Sequence, residues 1–568
     1  MPHLPGFCGF VAAVVFDCDG MILPAALLFL LYAEIHYRFK FTPSRLYRRQ
    51  PEIVADVPQR LEPHTPLPVL LLVKDAGRFP CELQSLTVTL QFATPAAKCN
   101  QPLTHKLTLN EIITAPLWWR VVPVPLPAAA QGPALVTITI DYRLAGRQLR
   151  CVNDNYVGTS HAPFHLLLAG EPLPALPGYC QGDLHCHSDA TSDQVEFGAP
   201  LGACAALGKA MGLSFCAVTD HSYDLDDFPD DYLHNDPALR KWHALRAEIA
   251  AHNAGASGFV IIPGEEVSCG NAQGRNVHFL IFNHSRFIRG SGDSAERWLR
   301  TRPEHTITEV LAQLEPDALA FAAHPAVPPP VLEKWLLGRG HWQHADLAHP
   351  RLNGLQFWNG GKKWEEEGLQ QWRALLLAGR RIYTIAGSDA HGNFNRFRQI
   401  AFPFVKMVEH HRHLFGSVRT AALLEGRLGL DSLLAALRLG RACLTTGPLL
   451  DLRVIAATGR QARLGDYIPL ASGRLQIAAV STAEFGSLAQ VRIWRGDPAQ
   501  HREEIIHEVQ PAARTFTYQA EVPLPHTGRD FYLRAEALSE RTPLLPGQST
   551  FCRALTNPIW VTPAHAET

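Results

Sequence analysis

The 568-residue sequence contains no Cys-x-x-Cys pair, no excess of either charge and no apolar run long enough to span a bilayer. Without a Cys-x-x-Cys pair, a zinc ribbon or a thioredoxin-like motif is excluded. The 12 cysteines are scattered, and Cys186, Cys204 and Cys216 fall in or beside apolar runs, where a reduced thiol packs as a small apolar group. Reduced thiols fit a reducing compartment; a Cys81–Cys99 bridge is the alternative. The 52 basic and 53 acidic residues leave a formal net charge of −1, so the chain has no electrostatic footprint for nucleic acid. The mainly apolar stretch from Met21 to Ile35 is 15 residues long, short of the roughly 20 that a spanning helix needs. No basic segment precedes it, so it does not read as a cleavable signal. Arg38, Lys40, Arg45, Arg48 and Arg49 follow it, as at the flank of a membrane-contacting segment. A cytoplasmic protein is therefore expected, with membrane contact through Met21 to Ile35 as one reading and a helix packed on the protein or a plain leader as the other.

At this length about three to four domains are expected. Residues 1–50 form a leader. Within it Val14-Val15-Phe16-Asp17-Cys18-Asp19-Gly20 matches the nucleophile motif of haloacid-dehalogenase-type phosphatases, but no following βα pattern supplies the rest of that site, so it reads as a chance match. From 51 to 178, short β-rich runs lie between Pro and Gly. Ser85 to Phe92 alternates with period two, and an immunoglobulin-like β-sandwich is expected. From 448 to 568 similar runs predict a second β-sandwich. No set of candidate ligands converges in either flank.

Between them, from 179 to 447, helices and strands alternate as in a β/α barrel. The organising stretch is Asp183-Leu184-His185-Cys186-His187, where strand alternation points both imidazoles to one side. Later strand-like runs meet further ligand-type residues: Thr219-Asp220-His221, Pro263-Gly264-Glu265-Glu266, His278, His324-Pro325 and Ser388-Asp389-Ala390-His391. Barrels of the β/α type keep their active sites at the C-terminal ends of their strands. The helix signals are Leu201 to Met211 closed by Gly212, Pro237 to Asn253, the capping box Thr306-x-x-Glu309, Trp364 to Ala378, and Asp431 to Leu439.

This ordered set of six motifs, covering about Gly182 to Gly447, resembles the polymerase-and-histidinol-phosphatase (PHP) superfamily of metal-dependent hydrolases. The flanks resemble its carbaryl-hydrolase-like branch. The resemblance implies an α/β fold, a distorted (β/α)7 PHP barrel flanked by N- and C-terminal all-β sandwich-like domains. It also implies two to three divalent metals per chain, for which the donor set fits Mn, Fe or Zn. The first would lie on His185, His187, Glu266 and Asp389; the second on Glu266, His278 and His324; the third on His221, His391 and an acid near the His pair. Position 192, where the family's acid usually stands, is Ser, so Asp193 is preferred and Asp189 is the second choice. Glu265 competes with Glu266 for the bridging role, and Asp220 is either a ligand or the group that orients one. Glu266, Asp389 and His391 are expected to carry catalysis.

Arg275 and Arg396 lie close in sequence to ligand motifs and are candidates for holding a phosphate or carboxylate. Trp358 is a candidate for stacking on substrate. A metal-dependent hydrolase of a small-molecule ester follows, a phosphoesterase first and a carboxyl- or carbamate-esterase second. A non-catalytic envelope- or polysaccharide-binding protein is the reading of another class.

Overall fold

The computed structural model describes residues 50–563 except 93–101, 156–160, 192–197, 230, 256–257, 293–300, 330–333, 336, 360–361, 398, 403–404, 409–410, 471 and 525–527. The Asp17 motif, Cys99, Asp193 and the stretch from Met21 to Ile35 lie outside the described residues. Among those described, no helix is long and apolar enough to cross a membrane.

Two sheets come first along the chain. Glu52–Asp56, Leu67–Lys74 and Leu117–Val124 make an antiparallel three-stranded sheet. Gly132–Leu144 and Cys81–Phe92 lie at the centre of a six-stranded one. Residues from both, including Val69, Leu71, Val88, Ile138 and Leu166, share one apolar core. Inward and outward positions alternate along Cys81–Phe92 except at a bulge between Leu83 and Ser85, as a sheet with one buried face requires.

The central strands belong to a single 16-stranded sheet that also runs into the C-terminal region. Tyr179–His187, Phe215–Val218 and Val260–Gly270 pair in parallel. The βα alternation then breaks. Only residues 271–275 separate Val260–Gly270 from Asn276–Phe282, too short for the dozen or more residues of a parallel crossover. The chain turns back as a hairpin, held by Asn271 Oδ1, which accepts from the amides of Gln273 and Arg275 at 2.9 Å each. Leu319–Ala323 pairs antiparallel to the hairpin, after which Gly354–Trp358 and Tyr383–Ala386 resume the parallel direction.

The distorted (β/α)7 barrel expected from the sequence is thereby corrected. Among the described residues strand (45%) far outweighs helix (16%), and the sheet does not close. The reason lies at its edge. The backbone of Tyr383–Ala386 is satisfied by side chains instead of a closing strand: Thr420 Oγ1 accepts from Ala386 N at 2.8 Å and donates to Ala386 O at 2.9 Å. Asn557 likewise bonds Thr384 N at 2.8 Å and Thr384 O at 3.0 Å. An edge strand whose polar groups are met this way has no need of a further neighbour.

Helices cover the sheet where the sequence places them, at Leu201–Ala210, Arg240–Ala254, Ile307–Gln313, Lys362–Leu377 and Leu430–Arg438. The Arg240 helix starts three residues later than expected because Asp236 takes the amides of Ala238 and Arg240 in the preceding turn and Leu239 is left-handed. Arg419–Leu423 and Ala442–Thr445 carry the sheet onward to Phe551–Thr556 and Phe531–Glu540. This part faces a four-stranded antiparallel sheet built on Leu449–Ala456, Gly473–Val480 and Thr517–Leu524, and Leu452, Ile477, Val491 and Leu533 share the core between them.

Candidate metal centre

The register of the central strands decides which donors meet. Ala390–His391 pairs in parallel with Cys186 and His187, setting His391 beside His187. Their rings consequently stack, 4.0 Å between centroids and 8° apart. A parallel bridge joins His221 to Glu266, and His221 Nδ1 lies 3.1 Å from Glu266 Oε2. In the hairpin His278 pairs with Ser268, diagonal to Glu266, and His278 Nδ1 lies 2.9 Å from Glu266 Oε1. His324 Nε2 lies 3.3 Å from the same oxygen. On the other side His185 Nε2 is 3.3 Å from Glu266 Oε2 and 3.2 Å from Asp389 Oδ1, and His187 Nε2 is 3.1 Å from Asp389 Oδ1.

Six imidazoles and two carboxylates thus converge at the strand ends. Three overlapping donor groups have their ligand atoms within 4.8 Å of one another: His185, His187, Glu266 and Asp389; His187, His221 and His391; and His221, Glu266 and His278. The first matches the expected first site. In the second, His221 stands beside Glu266 and His278 where His324 was expected; the third joins His187 to His221 and His391, and Asp193, the acid expected there, lies outside the described residues. His324 faces Glu266 from outside these groups. Asp389 and His324, with side chains 20% and 23% exposed, mark the open side of an otherwise buried cluster. Both also adopt left-handed backbone, φ 58° and 30°, a conformation that costs energy in non-glycine residues and gathers at functional sites.

The donor chemistry fits a cation. His185 Nε2, His221 Nδ1 and Glu266 Oε2 are buried and make no hydrogen bond among the described residues, although both nitrogens lie 3.1–3.3 Å from that oxygen. Buried donor atoms crowded together without hydrogen-bond geometry are what metal ligands present. Burial opposes ionisation of Glu266, but the imidazoles of His278, His185 and His221 outweigh it and hold the carboxyl well below its usual range. Asp389 is likewise held low, burial being outweighed by His185 and His187. Burial keeps His221 and His324 below the ordinary histidine value and so favours their neutral, ligating form. His185 is pushed to about 9, since Asp389 and Glu266 overcome the effect of burial; a bound cation would take the place of that proton.

Strand alternation turns Glu265 away from Glu266. Its carboxylate accepts from Trp242 Nε1 at 2.6 Å, and Ser222 Oγ lies 3.5 Å away. Asp220 also points aside. It receives the amides and hydroxyls of Ser188 and Thr191 and thereby holds the loop that follows the His pair. Asp189 joins none of the three groups, and its carboxyl is raised to about 7 by burial and by the charges of Glu248 and Asp220. Arg275 is exposed in the hairpin turn. Arg396 is buried on the side of Asp56. Trp358 is 1% exposed, packed in the apolar core under Arg553.

Three residues assigned no role from the sequence support the cluster. Asp183 accepts from His185 N at 3.1 Å, Ser388 N at 2.9 Å and Gly416 N at 2.8 Å, tying the His-pair strand to the Ser-Asp-Ala-His loop. It precedes His185 by two residues, and that shared strand period was its available signal. Gln356 Oε1 accepts from His324 N at 3.0 Å and lies 3.4 Å from His185 Nδ1, while its amide donates to Gly387 O at 2.9 Å. Asn359 donates to Asp389 Oδ2 at 3.2 Å.

No family model and no curated protein matches the chain. Among solved structures, the chain is similar to a two-domain protein from Bacteroides vulgatus containing a predicted PHP-like metal-dependent phosphoesterase. The identity is 14% and the TM-score 0.31, over 67% of this chain and 96% of that one. It is also similar to a Bacteroides uniformis β-glucuronidase, with 10% identity and a TM-score of 0.17 over 90% of this chain and 61% of that one. A putative β-galactosidase from Bacteroides fragilis gives 8% identity and a TM-score of 0.19, over 90% of this chain and 74% of that one. These are distant likenesses of shape, and the functional reading rests on the donor cluster itself.

Proposed function

We propose that the chain is a metal-dependent hydrolase of small-molecule esters, acting first on phosphoesters. The observation that carries this reading is the set of three overlapping donor groups sharing His187, His221 and Glu266. Residues His185, His187, Glu266 and Asp389 would hold one divalent cation, and His221, Glu266 and His278 a second. His187, His221 and His391 offer a third position, with His324 beside Glu266 at the open side. When bound, such cations supply Lewis acidity: they lower the pKa of water and offset the negative charge that hydrolysis builds.

The chain's own residues do the rest. Glu266 gives one oxygen to each side of the cluster and fixes the spacing between positions. Burial favours the neutral forms of His221 and His324 and keeps most of the cluster from solvent. Tyr223, stacked 4.6 Å above the His221 ring, walls that flank, and approach is left to the side of Asp389 and His324. Two carboxylates cannot neutralise two or three dications. The loaded centre therefore carries excess positive charge, which favours an anionic phosphoester over a neutral carboxyl or carbamate ester.

The test is hydrolysis of p-nitrophenyl phosphate, bis-p-nitrophenyl phosphate, p-nitrophenyl acetate and an aryl carbamate by metal-loaded protein, beside Glu266→Gln. The reading expects the phosphomonoester to lead and Glu266→Gln to lower the rate by about a thousandfold or more. Turnover of the acetate or carbamate alone, lost in the same variant, would select the second reading. Inactivity on all four by loaded protein would leave only a binding role.

A further inference from the structure

The N-terminal sheets reach the metal centre through one side chain. Asp56, at the end of Glu52–Asp56 and 1% exposed, accepts the amide of Phe394 at 2.9 Å and that of Asn395 at 3.1 Å. The Asn395 side chain reaches back to the same sheets, donating to His165 O at 2.9 Å and Pro58 O at 3.4 Å. An apolar residue would seal such an interface without the desolvation cost of a buried carboxylate. The carboxylate fixes two consecutive amides of a loop that lies three residues beyond His391.

That loop has little slack. His391 N donates to Asn393 Oδ1 at 2.9 Å, and Asn393 O accepts from Phe415 N at 3.0 Å. Gly392, at φ 66°, passes so near residues 198–199 that a Cβ there would lie 2.6 Å from the Gly198 carbonyl carbon. On the near side Asp389 N is bonded to His185 O at 2.7 Å, and His391 Nδ1 lies 3.0 Å from Asp389 O, which turns Nε2 toward His187 and His221. A shift at Phe394 and Asn395 is thus passed to His391.

We propose that Asp56 is a positioning residue of the metal centre, and that the N-terminal sheet pair, through Asp56 and Asn395, holds the loop presenting Asp389 and His391 in ligating geometry. The proposal rests on the metal-centre reading above. It gives a region with no candidate ligand of its own a role in the chemistry, because groups that orient ligands change metal affinity by about 10–100-fold. The position most affected is the one formed by His187, His221 and His391, since His391 lies nearest the anchored segment.

The test uses the full chain, wild type beside Asp56→Asn and Asn395→Ala, each loaded with Co2+. Cobalt per chain is measured by plasma mass spectrometry after desalting, the visible cobalt band is recorded, and bound cobalt is challenged with a chelator. The proposal expects both folded variants to hold about one equivalent less than wild type, to release it to about 10–100-fold less chelator, and to regain the band in excess Co2+. A folded variant with wild-type stoichiometry and chelator resistance, even one melting at lower temperature, would reduce Asp56 to a packing group and overturn the proposal. Should Asp56→Asn fail to fold, Asn395→Ala, which removes the bonds to His165 O and Pro58 O, tests the other half of the same anchor, and wild-type stoichiometry and chelator resistance in it overturn the proposal. Wild type that takes up no Co2+ overturns the metal reading itself, a result distinct from a loss confined to the variants.

Discussion

Adjacent glutamates with opposite fates show how single residues divide the work. Glu266 faces five imidazoles and is held ionised, whereas Glu265 lies on the other face of the same strand against Trp242. Burial raises the Glu265 carboxyl from 4.5 to about 7, more than the Trp242 hydrogen bond lowers it. The folded chain therefore keeps a proton there that the unfolded chain releases. The stability this contributes is complete below pH 4.5 and is lost as pH rises through about 7, a change of about 3 kcal/mol. Glu265→Gln, neutral throughout, should flatten that slope in denaturant titrations at pH 5 and 8, and an unchanged slope would contradict this account of Glu265. Gln356 acts from behind the ligands. Gln356→Ala should weaken metal binding by about 10–100-fold in chelator competition while leaving every ligand in place. Strand period and motif order made the six imidazoles, Glu266 and Asp389 legible in the sequence. Gln356 and Asn359 were not, since an amide in a strand carries no signature until register brings another strand's ligand against it.

At the scale of elements, local signals and long-range pairing part ways. Capping at Thr306 and the apolar periodicity of Lys362–Leu377 mark helices that form where expected. The barrel does not form, because closure depends on strand direction, which periodicity leaves open. One clue was present: the five residues from Asn271 to Arg275 leave no room for a crossover helix, so the βα repeat is interrupted at that hairpin. The unclosed edge makes its own prediction. Asn557→Ala strips the partners from both backbone groups of Thr384, so it should cost about 2 kcal/mol or more in equilibrium unfolding. It should not lower the metal content of folded protein. A neutral result would mean that Asn557 is not what satisfies the edge.

Across the whole molecule, the flanks are built into the centre. Arg60 in the N-terminal sheets bonds Glu62 at 2.6 Å, the carbonyl of Met211 at 2.8 Å, that of Glu171 at 3.1 Å and Glu484 of the C-terminal region at 2.8 Å. One 6%-exposed guanidinium therefore joins the N-terminal, central and C-terminal parts. Such ties depend on residues hundreds of positions apart, and nothing in the sequence marks Arg60 or Asp56 among its many charged residues. They tie the flanks to the central region that carries the cluster.

The measurement that bears most directly on this account is metal content per chain by plasma mass spectrometry on reconstituted full-length protein, wild type beside Glu266→Gln and Glu265→Gln. Two to three metals in wild type and in Glu265→Gln, with most of them lost in Glu266→Gln, is the predicted result. Metal-free wild type, or Glu266→Gln retaining as much as wild type, would contradict a centre organised on Glu266.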